Sequence, residues 1–157
     1  MPPDMLIIND RVVIWVVAQL HLLFAAFVLG APIFIVVCEY LGVRTRDNRY
    51  ERLAKETMKI VAISYSFTAI FGAAMTFVLV AKYQELSNFL FSRFYPLFGL
   101  YATLLLVETA IMYAYWYTWE ALAQRKKLHI SIGIVLNIVG FVVMILMNGV
   151  GSFMLTP

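Results

Sequence analysis

Charged residues in this chain are confined to short intervals, and four long apolar stretches lie between them. Val12 to Cys38 holds no Asp, Glu, Lys or Arg, and neither does Ile60 to Ala81. Phe94 to Trp119 is broken only by Glu108, and no formal charge follows Lys127, so His129 to about Gly151 forms the last stretch. A helix of about 20 apolar residues crosses a hydrocarbon core of about 30 Å. Backbone exposed to lipid must satisfy its own hydrogen bonds, which makes such segments helical. The apolar residues do not alternate with polar ones, which argues against a barrel. The pattern predicts an all-α, transmembrane four-helix bundle in one domain, 1–157, with spans at about 12–38, 60–81, 94–119 and 129–151. The first stretch lacks a basic leader and is too long for a signal peptide.

Composition narrows the class further. Hydrophobic residues make up 63% of the 157 and charged residues 13%, against about 45–50% and about 25% in soluble domains. Soluble-enzyme, disordered-tail and nucleic-acid-binding readings fall away. An isoelectric point near 9.1 points to nucleic acid only until the basic residues are placed. Arg44, Arg46, Arg49, Arg52, Lys55 and Lys59 lie between spans one and two, and Arg125, Lys126 and Lys127 between three and four. Only Arg11, Lys82 and Arg93 fall on the other side. Cytoplasmic loops carry the Lys/Arg excess, so the expected topology is inner (plasma) membrane, multi-pass, with both termini outside. The basic residues then face lipid headgroups and no nucleic acid.

Local signals add expectations. Glu51 with Lys55, and Arg52 with Glu56, are four apart on a helical extension of span two and suit ion pairs. Tyr113, Tyr115, Trp116, Tyr117 and Trp119 read as an interfacial aromatic belt. Phe89, Phe91, Phe94 and Tyr95 suggest an amphipathic turn along the outer surface, and Pro32 a kink in span one. Cys38 reads as a small packing residue, and a single cysteine permits no internal disulfide or cysteine metal cluster. Glu39 and His129 read as solvated helix ends, and Asn148 as a cap of span four.

Two polar titratable side chains remain deep in the spans, His21 and Glu108. A charge at mid-membrane costs about 2.5–3.5 kcal/mol on insertion scales, and such residues mark functional sites by default. At 1.5 Å per residue His21 lies about 13 Å and Glu108 about 18–20 Å from the outer ends of their helices. Spans one and three run in the same direction and suit neighbouring positions in a bundle. An uncharged imidazole is a common axial ligand of haem iron, and a haem fits between the helices of a bundle. Ala25, Ala26, Gly30 and Ala31 leave room for a macrocycle or a close helix. The alternative is a ring hydrogen-bonded to Glu108, Asn137 or a backbone carbonyl, and composition does not choose between them. Met75, Met112, Met144 and Met147 are the internal candidates for a second ligand. Burial without a cation favours a protonated Glu108 able to handle protons.

The stretch Gln19-Leu20-His21-Leu22-Leu23-Phe24, with Gly30 nine positions after the histidine, resembles the first helix of subunit I of cytochrome bd-type quinol oxidases. The resemblance continues through Cys38-Glu39-Tyr40, Tyr50-Glu51-Arg52-Leu53-Ala54-Lys55 and Phe71-Gly72-Ala73-Ala74-Met75-Thr76-Phe77. It runs on through Val107-Glu108-Thr109 to Met147-Asn148-Gly149 with Pro157 beyond. It implies that His21 is an axial haem ligand near the outer face, binding the iron. It also implies that Glu108 belongs to an acid pair beside the haems and the proton route, and that electrons come from quinol. The family's other acid of helix three falls on Leu100 here. The sequence stops after the fourth helix of the family pattern, short of the later haem ligands and the quinol-binding loop.

These residues set out three expectations. The first is a membrane subunit of a respiratory electron-transfer complex, holding one haem b through His21 and relaying electrons between quinol and partner cytochromes. The second is a subunit whose His21 haem reduces oxygen or another small gas. The third is a cofactor-free anchor or assembly subunit. Other membrane subunits and a cytochrome are the expected partners, with quinone at a shared site.

Overall fold

A computed structural model describes residues 9–155; Pro157 and both chain ends lie outside the described residues. Four helices carry the four apolar stretches: α1 Asp10–Thr45, α2 Asn48–Lys82, α3 Gln84–Tyr117 and α4 Lys126–Leu155. Each is long and apolar enough to cross a membrane, and no strand occurs among the described residues. They contain 30 to 36 residues, more than the hydrocarbon core requires, so their ends project beyond it.

The breaks follow local chemistry. The Asn9 side chain accepts from the Arg11 amide at 3.1 Å and starts α1; Asp47 does the same for Arg49 at 2.9 Å and starts α2. Such caps satisfy amides that have no partner within the helix. Between α1 and α2 the chain reverses through Arg46, which has φ 57°. That left-handed conformation costs a side-chain-bearing residue about 1–2 kcal/mol. α1 is one helix with Pro32 inside it. The non-helical residue lies in α3, at Phe94, two positions before Pro96. Proline lacks an amide and its ring crowds the preceding turn, so a helix breaks or bends there. The segment expected to form a surface turn is thus a helical arm, Gln84 to Arg93, whose Phe89 stacks on Phe153 of α4 with ring centroids 6.4 Å apart.

Sequential helices are neighbours and α4 returns to α1, so α1 and α3 are diagonal partners. The expected α1–α3 adjacency is corrected: their backbones do not approach, and only side chains meet across the centre. The largest buried cluster includes Ile35, Cys38, Met58, Met112, Tyr115 and Leu136. It sits toward the end that bears the α1–α2 and α3–α4 connections, here the basic end. Toward the opposite end burial thins out. Among the described residues α1 has no buried position before Val28, α2 none after Ser64, and α3 none between Leu90 and Glu108. Cys38 is buried, as a packing residue should be.

Candidate functional site

His21 projects from α1 onto α2, in the sparsely packed half. Its Nδ1 lies 3.0 Å from the carbonyl oxygen of Thr68. A carbonyl only accepts, so Nδ1 carries the hydrogen, and in the neutral ring Nε2 is the nitrogen with the lone pair. The ring rests on Gly72, where an added Cβ would stand 2.9 Å from Cε1. Three residues along α1, Phe24 stacks on Phe67 and Phe71 of α2, with centroids 5.2 and 5.8 Å away. Of the alternative partners set out for the His21 ring, the backbone carbonyl is the one it bonds, and Glu108 and Asn137 are not. Gly30, expected to give room, has open space around it.

Glu108 occupies a separate place. It is buried at 6% exposure and lies against Gly140 of α4, whose added Cβ would be 2.9 Å from Oε1. It lines a cavity of about 40 Å³ with Tyr65, Asn137 and Met144, and no lining residue is cationic. One ordered water needs about 10–15 Å³. The Asn137 amide donates to the Gly133 carbonyl at 2.8 Å, but its Oδ1 is buried without a partner. Thr109 donates to the Leu105 carbonyl at 2.6 Å. The Tyr65 hydroxyl must therefore be the donor in its 2.5 Å contact with Thr109. Asn137 Oδ1 and the Tyr65 oxygen both retain free acceptor capacity, so a protonated Glu108 is the group here that can donate. His21 does not line this cavity. Leu100 is half-exposed on α3, two turns from Glu108 and outside the cavity. Of the methionine candidates, Met112 is in the core, Met144 lines the Glu108 cavity, and Met75 and Met147 are half-buried.

A third constellation was not expected. Glu39 and His129, read as solvated ends, are both fully buried. His129 Nδ1 is 2.6 Å from Glu39 Oε1, and Nε2 is 2.8 Å from the Tyr115 carbonyl. The Tyr115 hydroxyl donates to Glu39 Oε2 at 2.7 Å. Nε2 faces an acceptor and must carry a hydrogen, so one further proton lies between Nδ1 and Oε1 and the pair is neutral overall. The reason for burial is topological: α4 begins beside the last turn of α3, and His129 satisfies a carbonyl that α3 leaves open at its end. Lys126 bonds Glu51 of α2 and lies 3.9 Å from Glu39. The cluster thus ties all four helices together.

Two other expectations change with it. Trp119 and Tyr115 pack around His129 and belong to the core, while Tyr117 is exposed as a belt residue should be. Glu51 pairs with Lys126 and not with Lys55; Lys55 pairs with Glu120, and Glu56 with Lys59 at 2.9 Å. Lys126 and Glu120, on α4 and in the α3–α4 connection, are brought to α2 by tertiary packing, whereas a pair within one helix gains only about 0.2–0.5 kcal/mol. The Lys55 ammonium holds the Glu120 carboxyl below the usual carboxylate range.

Among the described residues no group of three or more His, Cys, Asp or Glu is arranged to chelate a bare metal ion. A metal at His21 would need a macrocycle to supply most of its donors, which is what a haem does. The free Nε2, the stacked phenylalanines and the thin packing of this half fit such a group. The model of one protein family, described as cytochrome bd terminal oxidase subunit I, matches residues 10–157. No curated protein and no solved structure matches the chain.

Proposed function

The chain belongs to the cytochrome bd terminal oxidase subunit I family, a multi-pass membrane subunit of the respiratory oxidase type, and from that premise we propose that it holds one haem b through His21 and relays electrons between quinol and partner cytochromes. The observation that carries the reading is the bond from His21 Nδ1 to the Thr68 carbonyl, which leaves Nε2 free to ligate. Ligating histidines commonly donate their other ring nitrogen to a carbonyl or carboxylate, which fixes the tautomer and raises ligand basicity. A haem bound there supplies one-electron carriage.

The chain's own residues supply the rest. His21 holds the iron and Thr68 orients the ring. Phe24, Phe67 and Phe71 keep that side of the ring dry. Glu108 holds a proton at its carboxyl, with Asn137 Oδ1 and Tyr65 as acceptors around the cavity. The basic end faces the cytoplasm, which puts both termini outside and His21 in the outer half of the bilayer.

Pyridine haemochrome analysis of the complex carrying His21→Ala tests the ligand. Loss of one haem b relative to wild type is expected, and unchanged haem b content overturns the assignment. Carbon monoxide separates relay from gas reduction. A relay haem is indifferent to it, and a shifted spectrum moves the reading to oxygen or small-gas reduction.

A further inference from the structure

We infer that Gly72 is a positioning residue for His21: by lacking a side chain it uncovers the Thr68 carbonyl and so selects the imidazole tautomer that leaves Nε2 free. This deepens the reading of His21 as a haem ligand and rests on it for its functional meaning, but the tautomer itself is testable without haem.

The geometry is specific. A helical side chain leans toward the N-terminus and covers the turn before its own Cα. The side chain at position 72 would therefore cover the carbonyl of residue 68, four positions earlier. With glycine there, the His21 ring from α1 lies in that place and its Nδ1 reaches the Thr68 oxygen at 3.0 Å. An added Cβ would stand 2.9 Å from Cε1, closer than real Cβ contacts come, and 3.1 Å from Nδ1, tighter than most. One turn further along α1, Phe24 stacks on both Phe67 and Phe71 and fixes how α1 lies on α2, so the helices do not part to make room. Gly72→Ala thus pushes the imidazole off the carbonyl. Helix propensity does not require glycine here, since alanine is the better helix former. The Thr68 hydroxyl donates to the Ser64 carbonyl at 2.9 Å, so the hydrogen bond that position 68 offers the ring comes from its backbone.

The experiment uses the full chain, haem-free and in its haem-bearing complex, with ¹⁵N-labelled histidine. The chain has two histidines, and the ring signals that vanish in His21→Ala are those of His21. The expected wild-type result in the haem-free chain, at a pH where the ring carries one hydrogen, is that hydrogen on Nδ1. Gly72→Ala should lose that single tautomer, while Thr68→Ala should retain it because the carbonyl stays. Gly99→Ala, on α3 with open space around it, controls for the added methyl. In the complex, the haem midpoint potential should rise in Gly72→Ala alone, because the ring has lost the bond that made it a stronger donor to the oxidised iron.

A wild-type ring protonated at Nε2 overturns the inference, whether or not Gly72→Ala folds. So does a Gly72→Ala ring that keeps the Nδ1 tautomer. If the tautomer behaves as stated and His21→Ala leaves the haem content unchanged, the positioning stands and the ligand reading of His21 falls.

Discussion

His129 and Glu39, 90 positions apart in the chain, meet at 2.6 Å with neither side chain exposed. Without His129 the buried Glu39 carboxyl keeps the Tyr115 hydroxyl and Lys126 at 3.9 Å but loses its imidazole partner, and breaking a buried pair costs up to about 3–5 kcal/mol. His129→Ala should therefore destabilise the bundle in chemical unfolding in detergent micelles. Adding Glu39→Gln to it should recover part of the loss, because glutamine carries no charge and still accepts from Tyr115. Equal or greater instability in the double variant would show that the pair is not the source.

The pair also shows where sequence reasoning reaches and where it stops. His21 and Glu108 stand out along the chain because lipid makes an isolated polar group expensive, and that cost is visible without a partner. Glu39 and His129 sit at span ends, where water is the natural neighbour in a linear reading. Only the return of α4 beside the last turn of α3 shuts water out. Glycines hide for a similar reason. Gly30, which looked useful beside His21, faces open space, whereas Gly72, Gly133 and Gly140 are each pressed against a side chain of another helix. A glycine's role depends on what approaches it, and the linear pattern does not say what does.

Gly133 offers a stability test of this kind. A Cβ there would stand 2.5 Å from Val36 Cγ2 and 2.9 Å from the Tyr115 ring, and Tyr115 is anchored by Glu39. Overpacking of about 1–3 kcal/mol works against a gain of up to about 1 kcal/mol in helix propensity. Gly133→Ala should therefore lower the melting temperature, and Gly149→Ala, in open space, should hold or raise it. Equal melting temperatures would refute the close packing.

Glu120 carries a pH prediction. Its folded carboxyl is held low by the Lys55 bond. The contribution of that bond is present above the unfolded carboxylate range and is lost as pH falls through the lowered folded value. Both groups lie near the surface, so salt should weaken the effect. Carbon-13 NMR of Glu120 should show a midpoint below the ordinary range, moving up with Lys55→Ala. A midpoint unmoved by that substitution would remove the cause.

Glu108→Gln tests the proton-holding role. Glutamine matches the acid in size but cannot take up or release the proton. Haem content should stay at the wild-type level, while the pH dependence of the haem midpoint potential flattens. Potentiometric titration at several pH values reads this directly, and a slope identical to wild type would remove Glu108 from proton handling.

The uneven packing of the bundle bears on the rigidity of its two ends. The basic end is complete without any prosthetic group, since Glu39, Glu51, Tyr115, Lys126 and His129 satisfy one another there. The opposite end is held more lightly, by the Lys82–Asp10 ion pair and by Phe89 and Phe94 against Phe153. A hinge placed at the basic end lets the two halves of the bundle differ in rigidity, so amide exchange should be slowest around Glu39 and His129 and faster around His21.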